Sequence, residues 1–193
     1  MKAETIVVAI ASAFFGLVVG WMLGTQYAVV NRAAPATRTI DENQAMTLRA
    51  VAQQQPNDVK SRVDLGDLYF DGGRYEEAAR WYEEALGLSP KDVSVSTDLA
   101  VSYYYTGQPD RALKQLDYSL SIDPRHATTL LDQGVVRAYG KQDLQGAVAS
   151  WQKVIEVAPG SGDAQAARQK LDSLKSAHPE LAGTAQPPAK DGV

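Results

Sequence analysis

Apolar residues recur every three or four positions along most of this chain, a spacing typical of amphipathic helices. One apolar stripe occupies positions i, i+3, i+4, i+7 and i+8 of a single segment: Ala78, Trp81, Tyr82, Ala85 and Leu86. The stripe predicts a helix over Tyr75–Leu88, which Pro90 ends. The preceding segment predicts a helix over Val59–Asp71. Gly72 and Gly73 separate the two helices, because glycine readily adopts the left-handed conformation at a helix C-terminus.

This helix pair is repeated along the chain. The stretch LGDLYFDGGRYEEAARWYEEALGLSP, from Leu65, is followed 34 residues later by LAVSYYYTGQPDRALKQLDYSLSIDP, from Leu99. A third unit ends at Pro159, 35 residues after Pro124, and we assign its extra residue to the turn GKQDLQG. The fixed period indicates stacked helix pairs, because one pair cannot bury its apolar face alone and about three make a continuous core.

The repeat resembles the tetratricopeptide repeat (TPR), whose pattern is W-x2-L-G-x2-Y…A-x3-F…P. The residues that carry the resemblance are Leu65, Gly66, Tyr69, Ala78, Tyr82, Ala85 and Pro90 in the first unit, Leu99, Ala100, Tyr103, Ala112, Leu116 and Pro124 in the second, and Gly134, Ala147, Trp151, Val154 and Pro159 in the third. The resemblance implies an all-α solenoid of three helix-pair repeats. The third unit departs from the pattern at Arg137, where an aromatic residue is usual.

The rest of the chain fits around these repeats. A helix at residues 41–55 keeps the 34-residue register, so we interpret it as a half-repeat that caps the first unit. An amphipathic helix at residues 163–176 is predicted to shield the last unit, as solenoids require. The predicted segments are an N-terminal stub (1–4), a membrane anchor (5–30), a linker (31–39), an N-terminal capping helix (40–56), TPR 1 (57–90), TPR 2 (91–124), TPR 3 (125–159), a C-terminal capping helix (160–177) and a disordered tail (178–193).

The N-terminus predicts a membrane-spanning helix. Residues 6–23, IVVAIASAFFGLVVGWML, carry no charge and can cross a hydrocarbon core of roughly 30 Å as a helix. A cleaved signal peptide is the alternative, but its apolar core would be shorter, at roughly 7–15 residues. We favour an uncleaved signal anchor with a cytoplasmic N-terminus in a single-pass protein. This orientation would place the repeats outside the cytoplasm, in the periplasm if the source is a Gram-negative bacterium.

Three glycines in the predicted anchor recur every four residues, at Gly16, Gly20 and Gly24. Small residues at this spacing let two membrane helices approach closely, which predicts self-association into a homo-oligomer. The alternative is that the glycines reflect only the general frequency of glycine in membrane helices.

Composition and motifs argue against several functions. The net charge of −4 gives no basic footprint for a nucleic acid. The chain has no cysteine, its two histidines lack metal-ligand spacing, and it has no Gly-rich phosphate loop, H-E-x-x-H or G-x-S-x-G motif. Glu76-Glu77 and Glu83-Glu84 lie beside Arg74 and Arg80, as in exposed helix ion pairs. We therefore expect no enzyme activity, no metal and no cofactor.

In the TPR family the first helix of each repeat lines a concave groove that binds partners. The resemblance implies the following groove positions in this chain: Lys60, Val63, Asp67, Phe70, Asp71, Thr97, Val101, Tyr104, Tyr105, Leu131, Val135 and Tyr139, with Ser94, Thr128 and Ala138 added by the same mapping. Tyr104 and Tyr105 lie about 100° and 200° around the helix from the packing residue Tyr103. We expect both to face a ligand; packing under the cap or against the first unit is the alternative.

The charges of the implied groove bear on its ligand. Asp67 and Asp71 lie on one helix face and either attract a basic segment or form a solvated edge. TPR domains that hold a chaperone's C-terminal carboxylate use Lys and Asn where this chain has Val63 and Asp67. An acid there would repel a carboxylate, so we do not expect such a partner.

The function predicted is a membrane-anchored TPR scaffold or adaptor that binds a protein or peptide segment in its groove. One alternative comes from GAVASWQKVIEVAPGS in the third unit, which resembles the TPR modules of bacterial cytochrome c biogenesis factors. Those factors hold the apocytochrome, and the shared pattern is A-x3-W-x2-V-x4-P. Another alternative is a self-assembling structural membrane protein built through the glycine face and the repeats.

Overall fold

The computed structural model describes residues 40–183 as eight α-helices, one π-helical turn and one 3-10 turn, with no β-strand in this range. The helices are α1 (Glu42–Gln54), α2 (Val59–Asp71), α3 (Tyr75–Leu88), α4 (Val93–Tyr105), α5 (Pro109–Ile122), α6 (Ala127–Val135), α7 (Leu144–Val157) and α8 (Gly162–Ala177). The π-helical turn is Val136–Gly140 and the 3-10 turn is Pro179–Gly183. The all-α prediction is confirmed for these residues.

The prediction of a membrane helix falls on another part of the chain. Residues 1–39, with the stub, the anchor, the linker and Gly16, Gly20 and Gly24, lie outside the described residues, as do residues 184–193. Within residues 40–183, no helix is both long and apolar enough to cross a bilayer.

Each helix packs mainly on its neighbours in sequence, as in a solenoid. α2 packs on α3, α4 on α5 and α6 on α7, and the second helix of each pair also packs on the helix that follows it. We call α2, α4 and α6 the A helices and α3, α5 and α7 the B helices. The largest fully buried side chains include Trp151, Tyr69, Tyr82, Leu65 and Leu116. All five belong to the 34-residue pattern, so the repeat is also the pattern of the core.

The A helices begin at a capping side chain in every repeat. Asp58 and Asp92 each accept a hydrogen bond from the backbone N–H three residues on, at 3.0 and 3.1 Å. His126, 34 residues after Asp92, is the N-cap of α6, and its Nδ1 accepts from the corresponding N–H at 3.4 Å. These bonds satisfy N–H groups that have no partner within the helix. The period therefore specifies the helix starts as well as the core.

Both ends of the stack are covered as predicted, although the tail differs. Ala45 of α1 is buried in the first of two core clusters, and Leu171 and Leu174 of α8 are buried in the second. The predicted disordered tail, residues 178–193, was assigned too early a start, because residues 179–183 are a 3-10 turn. Leu181 in the 3-10 turn is 5% exposed and belongs to the second core cluster, so residues 179–183 extend the C-terminal cap.

The third repeat accommodates its extra residue at the end of α6. In the first two repeats the turn between the A and B helices contains a glycine with positive φ, Gly73 at 73° and Gly107 at 75°. The equivalent residue in the third repeat is Gln142, 35 residues after Gly107, with φ 57°. The widened π-helical turn Val136–Gly140 lies just before it and supplies the longer spacing. Our assignment of the extra residue to the GKQDLQG loop is therefore wrong by about one helical turn.

Gln142→Gly is expected to raise the free energy of unfolding by about 0.5–1 kcal/mol, because glycine adopts a positive φ without the steric cost of a side chain. Gly107→Ala, at the equivalent position of the second repeat, should lower it by about 1 kcal/mol. Urea unfolding followed by circular dichroism measures both changes. Changes of the same sign would show that backbone strain at this turn does not govern stability.

Arg137 takes the place of the ring found in the first two repeats and forms a polar network. Its Nη1 donates to Ser150 Oγ at 3.0 Å and to the carbonyl of Gly146 at 3.2 Å. Ser150 Oγ donates in turn to Gln133 Oε1 at 2.8 Å. The network joins the A and B helices of the third repeat. Among the described residues, no buried side-chain nitrogen or oxygen is left without a hydrogen bond, so the departure from the repeat pattern is compensated.

Candidate partner-binding face

Each A helix carries one aligned stripe of side chains that is open to solvent. Residues at i, i+4, i+7 and i+11 share one side of a helix, and in all three A helices these positions are at least partly exposed. We call these twelve residues the A-helix face: Lys60, Asp64, Asp67 and Asp71 on α2; Ser94, Asp98, Val101 and Tyr105 on α4; Thr128, Asp132 and Val135 on α6, with Tyr139 in the π-helical turn that continues it. Because the period is 34 residues, the face has four rows of equivalent positions.

The second row of the A-helix face consists of three aspartates, Asp64, Asp98 and Asp132. Our sequence analysis missed this row, although the 34-residue period alone would have revealed it. Lys60 Nζ pairs with the Asp64 carboxylate at 2.7 Å, one helical turn away. The position of Lys60 is a serine in the second repeat and a threonine in the third. The helices α4 and α6 therefore lack the cation that neutralises the row on α2.

Burial changes the protonation of the other two carboxyls. Loss of solvent raises the pKa of Asp98 to about 6, and the nearby Asp67 carboxylate adds to the shift. Loss of solvent also raises the pKa of Asp132 to about 7, with further increases from Asp98 and Asp163, whereas Lys170 acts in the opposite direction. Neither carboxylate forms an ion pair or a hydrogen bond with any residue of the described range.

The first repeat forms the most acidic end of the A-helix face. Asp67 accepts a hydrogen bond from the Tyr82 hydroxyl at 2.7 Å. Burial, followed by this bond, raises the pKa of Tyr82. Asp64, Asp67 and Asp71 line a depression of about 430 Å³ between α1 and α2, together with Gln44 and Leu68. Asp67 therefore has a structural partner as well as an exposed position.

The fourth row ends in exposed aromatic rings. Tyr105 is 53% exposed and Tyr139 is 61% exposed. The Tyr105 ring stacks on Tyr75 with centroids 4.5 Å apart and meets Phe70 edge-on at 5.8 Å. These contacts hold the Tyr105 ring in place while half of its surface stays open.

Other predicted groove residues are shared with the core. Those that are partly buried and pack against a core cluster are Val63, Phe70, Leu131 and Val135. Tyr104 also packs against the first cluster, and a Cβ on Gly140 would lie 3.2 Å from its ring. Packing is therefore the better description of Tyr104, whose ring joins the second repeat to the third.

The predictions for Thr97 and Ala138 are wrong. Thr97 is 2% exposed, and its hydroxyl lies 2.6 Å from that of Thr129, between α4 and α6. Ala138 is 5% exposed in the second core cluster, within the π-helical turn. Both positions face the neighbouring helix instead of solvent, so neither residue can contact a ligand.

A second concavity lies away from the A-helix face. A cleft of about 640 Å³ runs between the B helices α3 and α5 above Leu99 and Tyr103. Arg111 stacks on the Tyr103 ring at 4.0 Å and pairs with Glu83 at 3.4 Å. The Tyr118 hydroxyl at its edge donates to the carbonyl of Pro90 at 3.0 Å. Within residues 40–183, no three His, Cys, Asp or Glu side chains converge to form a metal site.

Comparison with family models gives one consistent result. A model described as TPR repeat matches residues 66–107, and a model described as Tetratricopeptide repeat matches residues 97–164. The two matches together span more than half of the 193-residue chain. No curated protein matches the chain.

Solved structures share this fold at low sequence identity. The crystal structure of MamA is 18% identical, with a TM-score of 0.62 over 69% of this chain and 75% of that chain. The first TPR domain of the human RPAP3 protein is 20% identical, with a TM-score of 0.56 over 63% and 95%. The first TPR of Spaghetti (RPAP3), bound to the HSP90 peptide SRMEEVD, is 20% identical, with a TM-score of 0.54 over 72% and 95%. At these identities the likeness concerns the fold.

Proposed function

Because this chain belongs to the tetratricopeptide repeat family, we propose that it is a non-catalytic scaffold that binds a segment of another protein on the A-helix face. Stacked helix pairs of this type form an extended concave surface suited to such a segment. The observation that carries the proposal is the fourth row, where Tyr105 and Tyr139 expose half or more of their surface. Exposed tyrosines supply a large contact area with few rotamers to immobilise.

The charges of the A-helix face distinguish its ligand from that of a structural neighbour. One solved TPR structure holds an HSP90 peptide that ends in Glu-Glu-Val-Asp. The face of this chain presents aspartates in every repeat, so such an acidic peptide would meet like charges. Val63 and Asp67 stand where the carboxylate-binding Lys and Asn would be. We therefore propose a ligand other than an acidic chaperone tail.

We also propose that the scaffold is held at a membrane by residues 6–23, with the N-terminus cytoplasmic and the repeats outside the cytoplasm. The support is the charge-free apolar run itself, which is long enough to span a bilayer.

The alternative of a cytochrome c biogenesis factor receives no separate support from the site. Its motif residues Ala147, Trp151 and Val154 are each 0% exposed. They pack between the helices of the third repeat and cannot contact a ligand, so this motif gives no information on which ligand is bound. Self-assembly through Gly16, Gly20 and Gly24 likewise rests on the glycine spacing alone.

The scaffold proposal predicts that peptide binding depends on the fourth row. Detergent-solubilised full-length chain is used to select binders from a random 12-residue peptide library displayed on phage. Tyr105→Ala combined with Tyr139→Ala should weaken the selected peptides at least tenfold, because exposed interface tyrosines are frequent hot spots. The helical melting temperature should change little, since these rings lie outside the core.

Tyr118→Ala is the matched control, because Tyr118 is 43% exposed on the B helix α5. It should leave the affinity of the selected peptides unchanged. Failure to select any peptide would contradict the scaffold proposal. So would peptides that bind the double variant as tightly as the wild-type chain.

A further inference from the structure

We infer that the segment bound on the A-helix face is basic: it places Lys or Arg side chains against Asp98 and Asp132 and apolar side chains against the rows of Val101 and Tyr105. The inference rests on the proposed function and names the chemistry of its ligand. It is the reverse of the acidic peptide held by the structural neighbour described above.

The first argument is that only one of three equivalent aspartates has an ion-pair partner. Asp64, Asp98 and Asp132 occupy one row, yet Lys60 neutralises Asp64 alone, at 2.7 Å. Several other cations pair elsewhere, Arg62 with Glu84, Arg74 with Glu77, Arg111 with Glu83 and Lys141 with Asp110, and no cation of the described residues forms an ion pair with Asp98 or Asp132. Two aligned carboxylates are thus left for a cation that comes from another molecule.

The second argument is the environment of the two carboxylates. Both are partly buried, and a carboxylate removed from water is unfavourable unless a cation or hydrogen-bond donors compensate it. The groups that face Asp98 are Asp67 on α2 and Asp92 at the start of α4. Asp132 is faced by Asp98, by Asp163 on α8 and by the single cation Lys170, which forms no ion pair with it. The surrounding field is therefore negative, and it favours a positively charged ligand.

The third argument is the apolar surface that adjoins the row. Val101 and Val135 follow the aspartates by three residues, and Tyr105 and Tyr139 follow by seven. At about 1.5 Å per residue, these side chains lie roughly 5 and 10 Å farther along the helices. Asp98 and Asp132 lie on the neighbouring helices α4 and α6, and packed helices lie about 8–10 Å apart. A ligand that pairs with both carboxylates therefore needs two cations about that far apart. A segment in the polyproline II conformation, with three residues per turn and a rise of about 3.1 Å per residue, provides this distance on one face with basic residues three positions apart.

The test uses the phage-displayed 12-residue library against the full-length chain. The selected peptides should be enriched in Lys or Arg relative to the library, commonly as two basic residues three positions apart. Asp98→Asn combined with Asp132→Asn should weaken these peptides at least tenfold and reduce the salt dependence of binding. Asp172→Asn is the matched control, because Asp172 is exposed on α8, half a turn around that helix from Asp163.

Thermal stability separates a ligand site from a structural role. The Asp98→Asn and Asp132→Asn changes preserve shape and remove charges that the fold does not pair. The melting temperature of the double variant at pH 8 should therefore be equal to or higher than that of the wild-type chain, while binding falls. A fall in both would indicate that the carboxylates support the fold, and it would overturn the inference.

The pH dependence gives an independent readout. Because burial raises the pKa of Asp98 to about 6 and of Asp132 to about 7, both carboxyls gain charge between pH 5.5 and 8. Affinity for the selected basic peptides should rise several-fold over this interval in the wild-type chain and stay flat in the double variant. Selected peptides without basic residues, bound through Tyr105 and Tyr139, would overturn this inference and leave the scaffold function standing. Selection of no peptide would instead overturn the scaffold function, and this inference with it.

Discussion

Trp151→Ala is expected to lower the free energy of unfolding by about 3–5 kcal/mol, the usual cost of deleting a large buried aromatic side chain. Trp151 is 0% exposed and is the largest fully buried side chain among the described residues. Its indole N–H donates to the carbonyl of Leu131 at 3.0 Å, which ties the B helix α7 to the A helix α6. The substitution leaves a cavity and removes this hydrogen bond between the two helices. A domain stable by about 5–15 kcal/mol would lose a large part of its stability.

Urea unfolding of the full-length chain, followed by far-UV circular dichroism, measures the loss. Trp81→Ala is the matched control, because Trp81 is also on a B helix but is only partly buried against the first core cluster. It should cost less than half as much as Trp151→Ala. Two results would contradict this prediction. One is an equal loss of unfolding free energy in the two variants, and the other is a loss below about 1 kcal/mol for Trp151→Ala.

The helix boundaries were predictable because several local signals agree at each end. The predicted helices Val59–Asp71 and Tyr75–Leu88 have the same bounds in the structure. Gly73 adopts the positive φ that ends the first, and Pro90 follows the end of the second. Asp58 caps the start of the first helix through its side chain. Caps, glycines and prolines act through neighbouring residues, so their effect can be read from sequence without knowledge of the packing.

The third repeat was harder to predict because its departures are compensated by tertiary contacts. One extra residue could lie anywhere between Gly134 and Gln142 without changing the apolar pattern, and the choice of a π-helical turn depends on how α6 meets its neighbours. Arg137 at a core position looked unfavourable in sequence. It donates to Ser150, which is 13 residues away and which donates in turn to Gln133, and only the packed structure shows that these side chains converge.

The candidate site shows the opposite limitation. Mapping the family's groove positions found Tyr105 and Tyr139, which are exposed, but included Thr97, which packs between two A helices. The mapping also passed over Asp98 and Asp132, because a single Asp on a helix resembles a solvated residue. Their equivalence across repeats was present in the sequence, whereas their partial burial and lack of a partner depend on the arrangement of neighbouring helices.

At one position of the repeat, the residue on the A helix is matched in size to the residue on the B helix. Gly66 lies against Tyr82, and Gly134 lies against Trp151. In the second repeat, Ala100 occupies the position of Gly66, and the smaller Leu116 occupies the position of Tyr82. A large ring on the B helix is thus accompanied by a glycine on the A helix, and a leucine is accompanied by an alanine. The three repeats solve the same packing problem with different pairs of side chains.

Gly66→Ala is therefore expected to lower the free energy of unfolding by about 1–3 kcal/mol, the cost of overpacking a core. A Cβ at Gly66 would overlap the Tyr82 ring, which cannot move away easily because it is 2% exposed and its hydroxyl is bonded to Asp67. Gly87→Ala is the matched control. A Cβ there meets nothing within 4 Å, so alanine should raise the free energy of unfolding by about 0.5–1 kcal/mol through its higher helix propensity.

A double variant tests whether the overlap with Tyr82 is the cause. Gly66→Ala combined with Tyr82→Leu reproduces the alanine and leucine pair of the second repeat. The two changes should be less destabilising together than the sum of their separate effects, with a favourable coupling of at least about 1 kcal/mol, because leucine removes the ring that the new methyl group would strike. If the changes in unfolding free energy of the two single variants simply add, the contact with Tyr82 is not the cause of the destabilisation by Gly66→Ala. A favourable coupling would mean that the size of the first-helix residue limits the ring that each repeat can bury.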